Sequence, residues 1–270
     1  MAGGELLLVD PDSRLSQLGL QPLWREDLSC YFPSRILGGE EESLAQLANQ
    51  WCNRMWGEDV FAWPAVWPAA SCQRVAARLW RRLGRRPLCV VNFGVGGNPA
   101  KRVADPFEEQ VVAMLASRWP GVVLYDAGRS PFALERVRRA LAEAAAQGVP
   151  VGFATEDEAG QSLAPGCRLV GFRGSIGVLA ALLERADAFV GYDSCCQHLA
   201  AAAGLGGVVV FAGAPHQRFR NRWRPQSRHA SLTVLPVADG RRPGGEGATL
   251  QAVTKLVEEV AASLGLLRVH

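Results

Sequence analysis

The densest cluster of chemistry-bearing residues is Asp193-Ser-Cys-Cys-Gln-His198. It follows the apolar run Ala188–Tyr192 and opens a helix-period stretch that stops at Gly204. Asp193 or Ser194 can cap that helix by accepting hydrogen bonds from backbone N–H groups one turn in. The other free N–H groups and the positive end of the helix dipole can hold a phosphate. An ordinary cap over a buried His198 needs the same residues, so both readings stand. The Cys195-Cys196 pair admits three more: a strained vicinal disulfide, a nucleophile acidified by the helix end, or two small packed residues.

Two further junctions have the same character. Lys101 lies in Asn92-Phe-Gly-Val-Gly-Gly-Asn-Pro-Ala-Lys101, after the run Leu88–Phe93. Small residues there let backbone approach a ligand. The stretch is neither a Walker A loop, since Ala100 and Arg102 flank the lysine, nor a dinucleotide fingerprint, since Pro99 stands where the third glycine belongs. Arg173-Gly-Ser-Ile-Gly177 follows another apolar run, and Ser175 can cap the next helix. Arg218 to Pro225 reads as a basic loop able to hold an anion or to be merely solvated. Glu156-Asp-Glu158 reads as a solvated acidic turn, with metal binding the sharper alternative.

The elements that must position these residues alternate. Apolar runs occur at 88–93, 122–125, 149–153, 168–172, 188–192 and 208–211, rich in Val and Phe, as strands buried on both faces are. Helix-period stretches at 106–119, 131–147, 176–185 and 197–203 separate them, and 249–264 closes the chain with one apolar face. Strand–helix alternation implies an α/β fold, a Rossmann-like doubly wound parallel sheet over residues 87–270. Residues 1–86 differ. They offer one clear strand at Leu6–Val9, a loop-like stretch from Asp10 to Gly39, helices at 40–56 and 71–83, and the aromatic segment Val60–Pro68 between them. One strand cannot make a sheet, so this part reads as a reduced N-terminal domain.

Composition narrows the function. The chain has 270 residues, 49% hydrophobic, enough for one large or two modest cores. No apolar stretch approaches membrane-spanning length, and no secretory leader opens the chain. Seven scattered cysteines without a CxxC pair fit a reducing cytoplasm. The net charge of +3 is too small to argue for nucleic acid, and no nucleic-acid-binding pattern occurs.

Lys101, Gly174–Gly177 and Asp193–His198 occur in this order, each at a strand–helix junction. Together with Gly191-Tyr-Asp-Ser-Cys-Cys-Gln-His-Leu-Ala200 and Val210-Phe-Ala-Gly213, they resemble glycosyltransferase family 9, the lipopolysaccharide heptosyltransferase family, over about Pro87–Pro225. The resemblance implies a GT-B-like fold with a shortened N-terminal, acceptor-side domain. It implies a nucleotide-sugar donor such as ADP-heptose, a glycolipid or saccharide acceptor, and transfer with inversion and without a metal or other cofactor. Lys101 would contact the donor phosphate, and Glu135 the ribose. Gly174, Ser175, Asp193, Ser194 and Cys195 would lie along diphosphate and sugar, with His198 supporting the loop. A cytoplasmic enzyme follows, in at most peripheral contact with the inner membrane face. Trp51, Trp56, Trp63 and Trp67 are candidates for contact with a lipid-linked acceptor, or for core packing.

Two departures qualify this. Cys195 stands where the family has glycine. The family's G-G-x-G-D loop, which supplies its general base, has no match; Gly3-Gly-Glu is not that loop. Asp10 and Asp12, after the first strand, are its poor substitutes. The runner-up reading is therefore a catalytically inactive or truncated module that binds a nucleotide-sugar or a partner. A Rossmann-type NAD(P) enzyme is disfavoured by the absent fingerprint.

Overall fold

The computed structural model describes residues 8–10, 29–31, 38–128, 130–159, 161, 163–213, 216–229, 232–237 and 245–266. Gly3–Glu5 and Asp12 lie outside them. Contacts divide the chain into two units: Met1–Trp63 with His216–Arg224, and Pro64–Pro215 with Pro225–His270. The helix expected at 71–83 thus groups with the sheet, on the far side of the boundary expected at residue 86.

In the first unit, strand β1 (Leu8–Asp10) pairs in parallel with β2 (Ser29–Tyr31). The stretch expected to be loop-like therefore holds a strand, three residues long and too short to show a period. Helix α1 (Leu44–Trp56) starts in a capping box between Ser43 and Gln46 and ends at Gly57, whose φ of 67° is left-handed. The basic segment expected as a loop is instead helix α7 (Gln217–Trp223). It is held from its inner face: Asn221 Nδ2 donates to Glu40 O at 3.0 Å and Glu41 Oε2 at 3.1 Å, while Arg224 donates to Glu41 O at 2.9 Å. Asn221 and Arg224 thus bind the unit's own carbonyls and a carboxylate.

The second unit is a seven-stranded sheet in the order β5-β6-β4-β3-β7-β8-β9. Its strands are β3 (Leu88–Asn92), β4 (Val122–Asp126), β5 (Val151–Thr155), β6 (Leu169–Arg173), β7 (Ala188–Tyr192), β8 (Gly206–Ala212) and β9 (Leu232–Val237), and every pairing is parallel. The connecting helices are α3 (Phe107–Arg118), α4 (Pro131–Ala146), α5 (Ile176–Leu183) and α6 (Cys195–Ala202); α2 (Ala70–Arg82) and α8 (Gly245–Ser263) complete the unit. This is the expected Rossmann-like α/β fold. Strands β3 and β7 are buried along their whole length, which explains their unbroken apolar runs. Edge strand β9 escaped the sequence pattern because Pro236 interrupts it; an edge tolerates the missing N–H.

From β3 the chain builds one side of the sheet, placing β4 beside β3, β5 at the edge and then β6 between β4 and β5. It then returns to β7, beside β3, and builds the other side. The crevice outside the carboxyl ends of β3 and β7 is therefore the topological switch point, where open α/β sheets bind ligands. Behind it Phe93, Tyr125, Phe107 and Tyr192 form an aromatic cluster, with Phe93 and Tyr192 centroids 5.0 Å apart. Strand β8 meets β7 through a glycine: a Cβ on Gly207, whose φ is +148°, would lie 1.9 Å from Phe189 O. Gly207→Ala should cost about 3 kcal/mol through this clash and the backbone strain, read in guanidinium unfolding. Gly97→Ala, where a Cβ meets nothing within 4 Å, should change stability by less than about 0.5 kcal/mol. Equal effects would show that the β7–β8 approach does not require glycine.

Candidate functional site

A cavity of about 440 Å³ opens at the switch point. It is lined by Asn92, Gly94 and Gly96 after β3, Asp126 and Gly128 after β4, Gly174 to Ile176 after β6, and Ser194 to Cys196 after β7. Glycines leave backbone exposed on three of its sides. Two helices begin at its wall. Ser175 caps α5, its Oγ accepting from Val178 N at 3.4 Å. Ser194 caps α6, its Oγ accepting from Cys196 N at 3.3 Å. The remaining first-turn N–H groups and the positive ends of both dipoles are thus directed to one place.

The loop after β7 is anchored from below. Asp193, almost fully buried, accepts from Lys101 Nζ at 2.6 Å on Oδ2 and from Gln197 Nε2 at 2.9 Å on Oδ1. Lys101 Nζ also lies 3.3 Å from Asp193 O. Next to Asp193, Tyr192 Oη accepts from Val103 N at 3.1 Å. The lysine loop is therefore fastened to the end of β7 at Lys101 and again at Val103. Half-buried His198 lies 3.4 Å from Gln197 Nε2 across its own Nε2. Burial holds its imidazole below the usual range, with Lys101 adding and Asp193 opposing, so it is neutral at pH 7.

The structure brings Gly174, Ser175, Ser194 and Cys195 together on the cavity wall. Lys101, Asp193 and His198 do not line it. Glu135 is on the exposed side of α4 and lines neither this cavity nor its neighbour. Cys195 is exposed, and its Sγ is 4.0 Å from that of buried Cys196; both are free thiols. The hydrogen bond from Cys196 pulls the Cys195 thiol down to about 6 against the effect of burial, and the same bond with burial pushes Cys196 up. A disulfide is not formed, and the pair presents the Cys195 thiol to the cavity.

Two residues that matter here had no role in the sequence reading, and a third had a different one. Asn92 and Asp126 end the neighbouring strands β3 and β4, and Asn92 Nδ2 donates to Asp126 Oδ2 at 2.7 Å. Burial pushes Asp126 up to about 6, although Gly128 N–H and the Asn92 amide pull it down. Glu156, in the turn expected to be solvated, accepts from Ser175 N at 2.6 Å and so fixes the second helix start. The signal for the first two was available: polar residues at the final position of adjacent buried strands.

A smaller cavity, about 190 Å³, shares Asn92, Gly94, Gly96, Asp126 and Gly128 with the first. Its far wall holds Phe132, with the guanidiniums of Arg102 and Arg136 at 5.5 and 5.8 Å from the ring. Both arginines are paired with buried Glu108, Arg136 Nε at 2.8 Å from Oε2. Among the described residues no three His, Cys, Asp or Glu side chains gather at metal-ligand spacing.

Residues 135–242 match the family model for glycosyltransferase family 9 (heptosyltransferase). That is the family which the Lys101, Gly174–Gly177 and Asp193–His198 elements resemble. The matched stretch carries both helix starts and ends β7 and β8; the Lys101 loop precedes it. Three solved structures are similar. The family 9 glycosyl transferase of Veillonella parvula DSM 2008 is 16% identical with a TM-score of 0.60, over 87% of this chain and 66% of its own. The E. coli heptosyltransferase WaaC with ADP is 13% identical with a TM-score of 0.59, over 97% and 74%. The E. coli ADP-heptose lps heptosyltransferase II is 18% identical with a TM-score of 0.53, over 77% and 56%. At such identities the likeness is one of fold. The chain spans 56–74% of these proteins. No curated protein sequence matches it.

Two predictions follow from the geometry. Lys101→Met leaves buried Asp193 without its cation and should destabilise by about 2–3 kcal/mol, less than for a fully buried pair because Lys101 is partly exposed. Adding Asp193→Asn should recover part of that loss; strictly additive effects in a urea double-mutant cycle would show the pair to be uncoupled. For Asp126, the folded carboxyl keeps its proton to about pH 6, whereas an unfolded one loses it near pH 4. Stability therefore falls as pH rises from about 4 to 6, by up to about 2–3 kcal/mol, and stays lower at neutral pH. Asp126→Asn should lack that fall; an unchanged pH profile of the unfolding free energy would refute it.

Proposed function

We propose that this chain binds a nucleotide-sugar through the switch-point cavity and is the donor-binding part of a heptosyltransferase-type glycosyltransferase. The observation that carries the reading is the convergence of two capped helix starts, α5 and α6, on one glycine-lined cavity. Such a wall offers backbone N–H groups and dipole ends to a diphosphate without a side-chain cation in direct contact. The match to a heptosyltransferase family model and the ADP in one similar structure favour a diphosphate of the ADP-heptose type.

In this reading the diphosphate rests on the Ser175 and Ser194–Cys196 turns. Lys101 and Asp193 hold the second turn in position, and Lys101 adds its field from beneath. Asp126 is unsuited to meet phosphate, because its carboxyl would be repelled once ionised; as a hydrogen-bonding group it suits a hydroxyl of ribose or sugar. The neighbouring cavity, with the Phe132 ring, takes the base by stacking. Ribose then meets the cavity wall rather than Glu135, which faces away. Cys195 narrows the phosphate end by a side chain.

The transfer proposed is inverting and independent of metal. An acceptor hydroxyl of a saccharide or glycolipid loses its proton to a base and attacks the anomeric carbon. The bond from that carbon to the diphosphate oxygen breaks, and the helix-end amides offset the charge gained by the leaving group. No residue lining the cavity supplies the base, because Asp126 is buried and already accepts two hydrogen bonds. The absent G-G-x-G-D loop therefore keeps a second reading alive, a module that binds the donor without transferring it. No described helix is long and apolar enough to cross a membrane; a cytoplasmic protein at the inner membrane face is the location proposed.

Binding and transfer are separable by experiment. ADP and ADP-sugars at a hundredfold excess over Kd should stabilise the chain by about 3 kcal/mol, a rise of a few degrees in melting temperature. Cys195→Phe, which fills the phosphate end, should abolish the rise. No shift with ADP, UDP, GDP or their sugars would overturn donor binding itself. A shift with ADP-sugar but no release of ADP in the presence of acceptor would favour the binding module.

A further inference from the structure

Between Asp59 and Asp105 the chain has no carboxylate, while Arg74, Arg78, Arg81, Arg82, Arg85, Arg86, Lys101 and Arg102 lie in the same stretch. Most of this charge is on α2 and its end. Arg74, Arg78, Arg81, Arg82 and Arg85 are all exposed; the first four, spaced by four, three and one residues, lie on one side of the helix, and Arg85 follows just past its end. The opposite side, with Ala76, Leu79 and Leu83, is buried in the sheet unit. The helix thus has no apolar face left to insert anywhere; what it presents is a row of guanidiniums. Its neighbours offset the row only in part. Glu158 and Gln161 face Arg78, Arg81 and Arg82 across an open groove of about 260 Å³. Glu184 is bonded to Gln73 near the start of α2. Arg85 lies over the Trp80 ring at 5.8 Å.

Immediately before the helix, in the same unit, stands Trp67 with 86% of its surface exposed, next to half-exposed Val66. An indole in water beside a row of arginines is the pairing that a lipid headgroup region accommodates: guanidiniums meet phosphates, and the indole sits at the boundary with the acyl chains. A single strand of nucleic acid would need a basic groove with successive stacking platforms rather than one indole, and the whole chain is only +3. We propose that the arginine face of α2, with Trp67 at its leading end, docks this protein on an anionic phospholipid surface. The docking is electrostatic, peripheral and independent of the donor cavity.

The test is co-sedimentation of the full chain with vesicles of phosphatidylglycerol and phosphatidylcholine in equal parts, against phosphatidylcholine alone. Binding is expected only to the anionic vesicles, and it should weaken steeply between 50 and 500 mM salt as screening shortens to roughly 4 Å. Arg78→Gln/Arg81→Gln/Arg82→Gln should weaken it about a hundredfold, at roughly fivefold per arginine. Arg138→Gln, an exposed arginine on α4, should leave it unchanged. Tryptophan emission should shift to shorter wavelength on binding, and Trp67→Ala should lose most of that shift. Circular dichroism of each variant establishes that it is folded; a misfolded triple variant is replaced by its three single ones. Equal binding to neutral vesicles, no binding at low salt, full binding by the folded triple variant, or tighter binding to a single-stranded RNA oligomer would each overturn the proposal.

Discussion

A buried carboxylate at the end of a central strand is the constraint on which this site depends. Asp193 has lost nearly all its water, and an unpaired charge there would cost several kcal/mol. It is tolerable because Lys101 and Gln197 occupy both its oxygens. Lys101 comes from the loop after β3, Gln197 from the first turn of α6. One carboxylate thus fastens a loop on one side of the switch point to a helix start on the other. The Tyr192–Val103 bond repeats the tie one residue away. Satisfying a buried charge and fixing the two sides of the cavity relative to each other are here the same act.

That arrangement changes the meaning of the lysine. The resemblance alone makes Lys101 a direct contact of the donor phosphate. The geometry gives it a buried partner at ion-pair distance and leaves it out of the cavity lining, which offers backbone groups, the Ser175 and Ser194 hydroxyls, the Cys195 and Cys196 thiols and the Asn92 and Asp126 side chains. A wall of amides binds an anion with less dependence on salt than an exposed cation does, because helix-end N–H groups are fixed and need no counter-ion when the ligand leaves. It also leaves selectivity to shape. A single side chain at Cys195, where the family has glycine, then matters more than it would beside a flexible lysine.

Much of this was legible in the sequence, for a definite reason. Strands buried on both faces must be continuously apolar, so β3, β4, β6, β7 and β8 could be read within a residue or two, and β7 at its observed bounds. The three junctions followed, because caps and small residues must stand where a strand hands over to a helix. What escaped reading lacks a local signature. Strand β2 is three residues long, and β9 contains a proline that only an edge position permits. Helix α7 looked like a loop because its arginines show no apolar face; its partners, Glu40 and Glu41, are remote in sequence. Asn92, Asp126 and Glu156 carry ordinary polar identities, and only the strand order makes them neighbours of the cavity.

Asp126 shows why fold and site cannot be reasoned about separately. A carboxyl raised to about 6 lowers native stability at neutral pH, and nothing in the sheet requires it there. An asparagine or serine could end β4 more cheaply. The group sits on the wall shared by the two cavities, 2.7 Å from Asn92 and held by Gly128 N–H, so its oxygens are oriented before any ligand arrives. Strain of this kind is expected where a fold keeps a polar group ready for a partner. A hydroxyl donor that accepts the burden of solvating this carboxyl gains a preoriented acceptor, whereas a phosphate gains only repulsion. In the proposed binding mode the same carboxyl would sort the two ends of a nucleotide-sugar, with diphosphate at the helix starts and hydroxyls toward β4.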